Sequence, residues 1–379
     1  MNVLIYGSGQ LARMMYLAGC PLGIYINAVD VVKEQVVDPV SKEPRPITLN
    51  QAIEDADAIT VEFEHIPEHL LEKAAQTGKL RPSIEAILAG ADRVREKKLL
   101  EDLNVPNCPH LIITDVQQLP EAIKQLGDKL ILKASRDGYD GYGQWRIQSA
   151  ADLPKITEEL KELDLQAVPL IAEKMMFFQR ELSLVGTRST DGTYKFYPLV
   201  ENRHHQGQLH LTIAPAANIT DELTEQAQDA FRKMADKLNY VGVLGVEFFQ
   251  VNDQLLVNEI APRVHNSGHW SMQGADTCQF ENHIRAVSNL PIGDVSTHGC
   301  AAMVNIIGVG SFSRDMLAIP GCHLHWYGKE PREKRKLGHF NLNASSYEEL
   351  GERLAALAKH LPEDSFPLLQ PAIEELTAK

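Results

Sequence analysis

Two glutamates set into otherwise apolar strands, Glu247 and Glu259, constrain this chain more than any other feature. Segment 241–270, VGVLGVEFFQVNDQLLVNEIAPRVHNSGHW, reads as two strands around a polar turn, then an irregular stretch rich in hydrogen-bonding side chains. With Asn252, Asp253 and Gln254 as the turn, positions 247 and 259 are equidistant from its centre and pair directly. Their even separation puts both carboxylates on one face, because strand side chains alternate with period two. Carboxylates placed directly opposite repel unless a cation lies between them, and Mg²⁺ held by nucleotide phosphates supplies one. The alternative is an acidic pair on a half-exposed hairpin. The residues just beyond Glu259 weaken that alternative, since Arg263, His265, Asn266, Ser267 and His269 crowd one short segment.

A chain of 379 residues is too long for one ordinary core, and two or three domains are expected. Net charge is −14, from 37 basic and 51 acidic residues, which argues against nucleic acid as a partner. No apolar run is long enough to span a membrane. The opening MNVLIYGSGQ enters a strand directly with no leader pattern. Five scattered cysteines without a CxxC fit reduced thiols, so a cytoplasmic location is expected. The N-terminus predicts a βαβ unit: strands over 3–6, 24–29 and 58–63, with a helix over 10–19. It carries Gly-x-Gly-x-x-Ala, Ala12 taking the third glycine position, and Asp30 follows about 20 residues on. Three readings stay open for this turn: a dinucleotide site, a close-packing turn, or a phosphate or small-substrate site at the helix N-terminus. The first domain is expected to end near 81–83.

Lys133 closes a short strand and opens the glycine-rich loop ASRDGYDGYGQ at 134–144. A lysine there reaches phosphate oxygens while glycines let the backbone approach them, although the spacing is not that of a P-loop. A glycine flap, a basic strand end and paired carboxylates form a minimal set for phosphoryl transfer. A charged helix is expected over 92–103, and a second from N-cap Thr220, with Leu223, Ala227, Phe231, Met234 and Leu238 as its core stripe. His323-x-His325 and the adjacent His204-His205 read as packing or surface residues before metal ligands. The basic run Lys329, Arg332, Lys334, Arg335, Lys336 is either a solvated face or a seat for an anionic substrate group.

Together these motifs resemble the ATP-grasp superfamily, and within it the carboxylating ligases of purine biosynthesis. The likeness runs through GSGQLARM at 7–14, ADR at 91–93, DGYDGYGQW at 137–145, ELSLVG at 181–186, VNEIAPRVHNSGHW at 257–270, HLHWYGK at 323–329 and RKLGH at 335–339. It implies an α/β fold, α+β in its central region, in three domains. These are a Rossmann-like 1–90, an ATP-grasp region 91–295 with a small lid at about 105–175, and a C-terminal 296–379. It also implies a reaction in which ATP phosphorylates bicarbonate to carboxyphosphate, which carboxylates the amine of 5-aminoimidazole ribonucleotide. The phosphates of ATP would meet Arg93, Lys133 and the loop Gly138, Tyr139, Asp140, Gly141, Tyr142, Gly143, Gln144. Glu173, Lys174, Met175 and Met176 would line the adenine hinge, Glu181 would hold the ribose, and His204 and Asn258 would contact the nucleotide. Glu247 and Glu259 would hold Mg²⁺, or Mn²⁺ in its place. The ribonucleotide would lie near Gly9, Gln10, Leu11, Tyr139, Lys329, Arg335 and Lys336. Arg263, His265, Asn266, Ser267 and Gly268 would face bicarbonate and the transferred phosphate.

Arg263, Asp140 and Lys336 are the expected catalytic groups: Arg263 for charge on the phosphoryl group, Asp140 to orient or deprotonate the amine. The resemblance further implies a homodimer. Two departures stand out, Ala12 where glycine is usual and Ala261 where many ATP-grasp enzymes carry asparagine. The competing readings are a sister ligase using formate, an NAD-dependent oxidoreductase, and a non-catalytic nucleotide sensor.

Overall fold

The computed structural model describes residues 1–136 and 143–378. Its first sheet comprises β1 (Asn2–Tyr6), β2 (Tyr25–Asp30), β3 (Gln35–Val37) and β4 (Ala58–Val61), in the order β3-β2-β1-β4. β1 is flanked by parallel β2 and β4, which explains its unbroken apolar run. The helix Gln10–Gly19 follows β1 as the βαβ pattern requires. Helices Leu49–Asp55, Glu68–Ala75 and Ile84–Ala91 complete this region.

A second sheet, all antiparallel, holds β5 (His110–Ile113), β6 (Leu130–Ala134), β7 (Gln144–Ile147) and β8 (Leu170–Lys174) in the order β5-β8-β6-β7. The helix Arg93–Asp102 leads into it and begins where the Asp92 side chain accepts from the Val94 amide.

The third sheet has nine strands: β9 (Arg180–Arg188), β10 (Tyr194–Phe196), β11 (Val200–His205), β12 (Gln208–Ala214), β13 (Gly242–Val251), β14 (Gln254–Ala261), β15 (Cys300–Ile307), β16 (Cys322–Trp326) and β17 (Lys336–Ala344). Its main path is β14-β13-β9-β11-β12-β15-β17-β16, so β12 pairs with β15 and the sheet runs unbroken into the C-terminal region. The helix Asp221–Lys237, capped by Thr220 through the Leu223 amide, packs its Leu223, Ala227, Phe231 and Met234 stripe on one face of the sheet.

Three register breaks interrupt this sheet: between Glu247 and Phe248 on β13, between Arg203 and His204 on β11, and between Ile306 and Ile307 on β15. Each sits beside a side chain singled out from the sequence, as bulges commonly do where a strand must re-aim a residue. The β13–β14 hairpin shows how. Its turn is Asn252-Asp253, not the expected three residues, with Val251 opposite Gln254 and Phe248 opposite Val257. Continued regularly, that register would pair Glu247 with Asn258. Asn258 is instead left unpaired as a bulge, and Glu247 pairs with Glu259. The expected opposition of the glutamates holds, for a different reason.

Candidate functional site

The site is built where β6 and β8 of the small sheet face β13–β14. Lys133 is a buried strand residue, and its Nζ lies 2.6 Å from Glu173 Oε2 and donates to Asn258 Oδ1 at 3.2 Å. Glu173 also holds Lys97 Nζ at 2.7 Å through its other oxygen, with the two side chains 1% and 5% exposed. Burial alone would raise the Glu173 carboxyl, but Lys133 and Lys97 overturn that and hold it down at about 2. Beside them Arg93 Nη2 donates to Glu259 Oε2 at 3.0 Å. Burial opposes the charge on Glu259 too, and Arg93 prevails, holding it at about 2. Burial pushes its partner Glu247 up to about 7, with Glu259 and Glu181 adding repulsion against His204 and Lys336. Such a split is what two close carboxylates adopt before a cation relieves them.

Toward the sheet interior, His265 Nε2 lies 3.5 Å from Glu247 Oε1, and His204 Nδ1 lies 2.9 Å from Glu181 Oε2. The segment after β14 is clamped by Gln279, which accepts from the His265 amide at 2.8 Å and donates to the His265 carbonyl at 2.7 Å. Glycine is required at 245 and 268, since a Cβ would lie 2.7 Å from His265 Cβ and 2.6 Å from Gln279 Oε1 respectively. Ser267 and His265 bond each other at 2.7 Å. Arg263 Nη2 pairs with Glu64 Oε1 at 2.8 Å. Arg263 Nε and Asn266 Nδ2 are buried donors without a partner among the described residues. His269, by contrast, turns inward, tilted against His339 at 4.9 Å between ring centres, and takes no part in the site.

The glycine turn resolves against a dinucleotide. Glu62, from the end of β4, places its carboxylate at the helix N-terminus and accepts from the Gly9 amide at 2.5 Å and the Leu11 amide at 3.0 Å. A Cβ on Gly9 would lie 2.3 Å from Glu62 Oε1, so the glycine admits a side chain of this chain. Asp30 is spent on its own turn, accepting from the Val32 and Lys33 amides at 3.1 Å. Basic groups gather near Glu62. Lys42 donates to the Gly9 carbonyl at 3.4 Å and Arg13 to the Trp326 carbonyl at 3.0 Å. Burial, then Arg335 alongside, lowers the Lys329 ammonium below its ordinary value, with Glu62 opposing.

Lys336 opens β17 near Glu247, His204 and His265, and Arg335 precedes it. Gly143 and Gln144 lie at the start of β7, Gln144 opposite Lys133. Gly138, Tyr139, Asp140, Gly141 and Tyr142 fall outside the described residues. Lys174 ends β8 and Met175 and Met176 follow it, while the Glu173 side chain turns to the two lysines. His325 stacks on His339 at 4.5 Å, a packing role, as its strand pattern suggested. Lys97, Glu96, Glu62, Glu64 and Gln279 were missed. The signal for Lys97 and Glu96 was charge on the inward face of the helix Arg93–Asp102.

A small antiparallel sheet and a larger one that meet at a lysine and two opposed glutamates define the class: an ATP-grasp ligase. Residues 98–280 match the ATP-grasp domain family, 1–89 the ribonucleotide synthetase preATP-grasp domain, and 301–353 the phosphoribosylaminoimidazole carboxylase C-terminal domain. N5-carboxyaminoimidazole ribonucleotide synthase of Vibrio parahaemolyticus is 49% identical over 99% of this chain and 98% of its own length. The Escherichia coli enzyme of the same name is 37% identical over 95% of each. Among solved structures, the Thermus thermophilus synthetase superposes with a TM-score of 0.85 at 37% identity, covering 95% of this chain and 99% of its own. The Aspergillus clavatus enzyme, in complex with ADP and 5-aminoimidazole ribonucleotide, gives 0.83 at 29%, covering 94% and 98%. The chain belongs to the N5-carboxyaminoimidazole ribonucleotide synthase family.

Proposed function

We propose that this ligase carboxylates 5-aminoimidazole ribonucleotide with bicarbonate at the expense of ATP, giving N5-carboxyaminoimidazole ribonucleotide, ADP and phosphate. The observation that carries the reading is the opposed pair Glu247 and Glu259 beside Lys133, with the donors Arg263 Nε and Asn266 Nδ2 left unpartnered nearby. Lys133 and Arg93 neutralise phosphate oxygens, and Lys97 keeps Lys133 from being wholly compensated by Glu173. Glu181 and His204 hold the ribose.

The donor set fits Mg²⁺. Two part-buried carboxylates share the face toward Lys133, one kept ionised and the other raised toward neutral pH until a cation arrives. Glu247 and Glu259 would hold the ion, which when bound supplies charge neutralisation for the β- and γ-phosphates. Arg263, fixed by Glu64, and Asn266 orient bicarbonate so that its oxygen takes the γ-phosphoryl group as ADP departs. The ribonucleotide amine then attacks the carboxyl carbon of carboxyphosphate, phosphate leaves, and the amine gives up a proton. Asp140 is the group we assign to orient that amine and take its proton. Lys329, Arg335 and Lys336 hold the ribonucleotide phosphate, with Gly9, Gln10, Leu11 and Tyr139 around the base and ribose. The three-part division at 90 and 295, a homodimer and a cytoplasmic location belong to the same reading; no described helix is long and apolar enough to cross a membrane.

ADP release assayed with substrates omitted singly tests it. Release is expected only with both aminoimidazole ribonucleotide and bicarbonate, and formate should not replace bicarbonate. ADP release unchanged by either omission refutes the reading.

A further inference from the structure

Mixed donors meet on the sheet-interior side of the paired glutamates. Glu181 on β9, His204 on β11 and Glu247 on β13 each present one ligand atom, all within 4.8 Å of one another. The three strands are neighbours, β9 lying between the other two, so the cluster stands on continuous sheet. His204 Nδ1 is 2.9 Å from Glu181 Oε2 yet is buried with no hydrogen-bond partner in line among the described residues. Donors bound to one first-row cation at about 2.0–2.2 Å stand roughly 3–4 Å apart, so small rotations bring the three onto one ion. His265 Nε2, 3.5 Å from Glu247 Oε1, offers a fourth donor.

We propose that in the nucleotide-free enzyme Glu181, His204 and Glu247 form a second divalent-cation position, with His265 in reach, suited to Zn²⁺ or Co²⁺ and not to Mg²⁺. It shares Glu247 with the Glu247–Glu259 pair and differs from it in its imidazole donor. Imidazole suits zinc-like ions, whereas Mg²⁺ keeps to oxygen and its own water. The position rests on the nucleotide reading in one respect: a cation there occupies the groups assigned to the ribose, so the two exclude each other.

The test titrates Co²⁺ into chelator-stripped, nucleotide-free full-length enzyme, read by d–d absorption, with Cu²⁺ loaded in parallel for electron paramagnetic resonance. One Co²⁺ per chain is expected, unmoved by a large excess of Mg²⁺ and displaced by ADP, with nitrogen hyperfine coupling on Cu²⁺. His204→Ala and Glu181→Gln should each weaken Co²⁺ by at least about tenfold. Wild-type Cu²⁺ spectra without nitrogen coupling, displacement by Mg²⁺, or a thiolate charge-transfer band on Co²⁺ would each overturn the proposal without recourse to variants. ADP affinity is measured separately in chelated buffer. Normal ADP binding with no Co²⁺ bound sinks the cation position and leaves the nucleotide reading standing; Co²⁺ bound with ADP binding absent supports the position and sinks that reading.

Discussion

Replacing Lys97 by methionine is the sharpest probe of how Lys133, the lysine we assign to the ATP phosphates, is held. Lys97 and Glu173 are among the most deeply buried charges in the molecule, and Glu173 is shared with Lys133. The fall of the Glu173 carboxyl from 4.5 to about 2 is a net attraction of roughly 3 kcal/mol after burial has been overcome. Its sign is that of a depressed carboxylate. The stabilisation is whole above about pH 4.5 and is lost as pH falls through about 2. Removing one partner of a buried pair costs about 3–5 kcal/mol, because the remaining charge stays desolvated. Because Lys133 stays on Glu173, Lys97→Met falls at the lower end, about 3 kcal/mol, and is expected to lower the melting midpoint by roughly 6–12 °C, at 2–4 °C per kcal/mol for a domain of this size. It should also weaken ATP, since Lys133 then neutralises Glu173 alone. The double variant Lys97→Met/Glu173→Leu also takes the anion from Lys133 and should be less stable than the single variant, because the Lys133 ammonium is then buried without its counter-charge. Thermal denaturation and ATP titration of the three variants decide the matter. A single variant within about 2 °C of wild type, or a double variant no less stable than the single, would refute the account.

Other expectations rest on the same geometry. Glu62→Gln should cost about 1–2 kcal/mol by replacing a charged acceptor at two amides with a neutral one, and NADH should bind neither form; fluorescence titration of NADH with thermal denaturation checks both. Because Glu247 sits near 7 in the nucleotide-free enzyme, Mg²⁺ and ATP should bind with proton release around pH 6–7 and weaken below it. Calorimetry in two buffers of different ionisation enthalpy reads the proton count, and zero release would contradict the raised carboxyl. Glu259→Gln leaves Arg93 without its anion and should reduce ATP turnover by at least about 100-fold, measured as ADP release. Deleting Asn258 removes the bulge residue and should keep Glu247 opposite Glu259. Mg²⁺ affinity then survives while ATP weakens through the lost Lys133 contact.

Much of this was legible because it is periodic or local. The helix Gln10–Gly19, the cap at Thr220 and the stripe behind it are written in spacing and cap chemistry, and the structure returns them almost residue for residue. The opposition of Glu247 and Glu259 was legible too, although the turn was read as one residue longer than it is. What the pattern hid is nonlocal. Glu62 reads as one polar residue after a buried strand, and only the fold brings it to the amides of Gly9 and Leu11. The glycines there looked like a nucleotide fingerprint because a carboxylate and a phosphate demand the same thing of a helix start. Lys97 and Glu96 fall in what reads only as a charged helix, and their burial is decided by strands far along the chain, β8 with Glu173 among them. His204, read beside His205 as a surface pair, lies just past a register break after Arg203 that no alternation rule anticipates.

That hairpin contains an arithmetic of parity. Between Glu247 and Glu259 lie eleven residues, an odd number, and a regular hairpin that faces two chosen side chains across a two-residue turn needs an even one. One residue is therefore surplus, and the chain was free to lodge it anywhere along the loop. At the tip it would have been idle in solvent. Lodged next to Glu259, it lets two consecutive side chains, Asn258 and Glu259, look the same way, which an alternating strand forbids. Length variation in this hairpin is thus tolerable in steps of two at its tip, whereas a single lost residue keeps the two glutamates facing each other only where the surplus already sits.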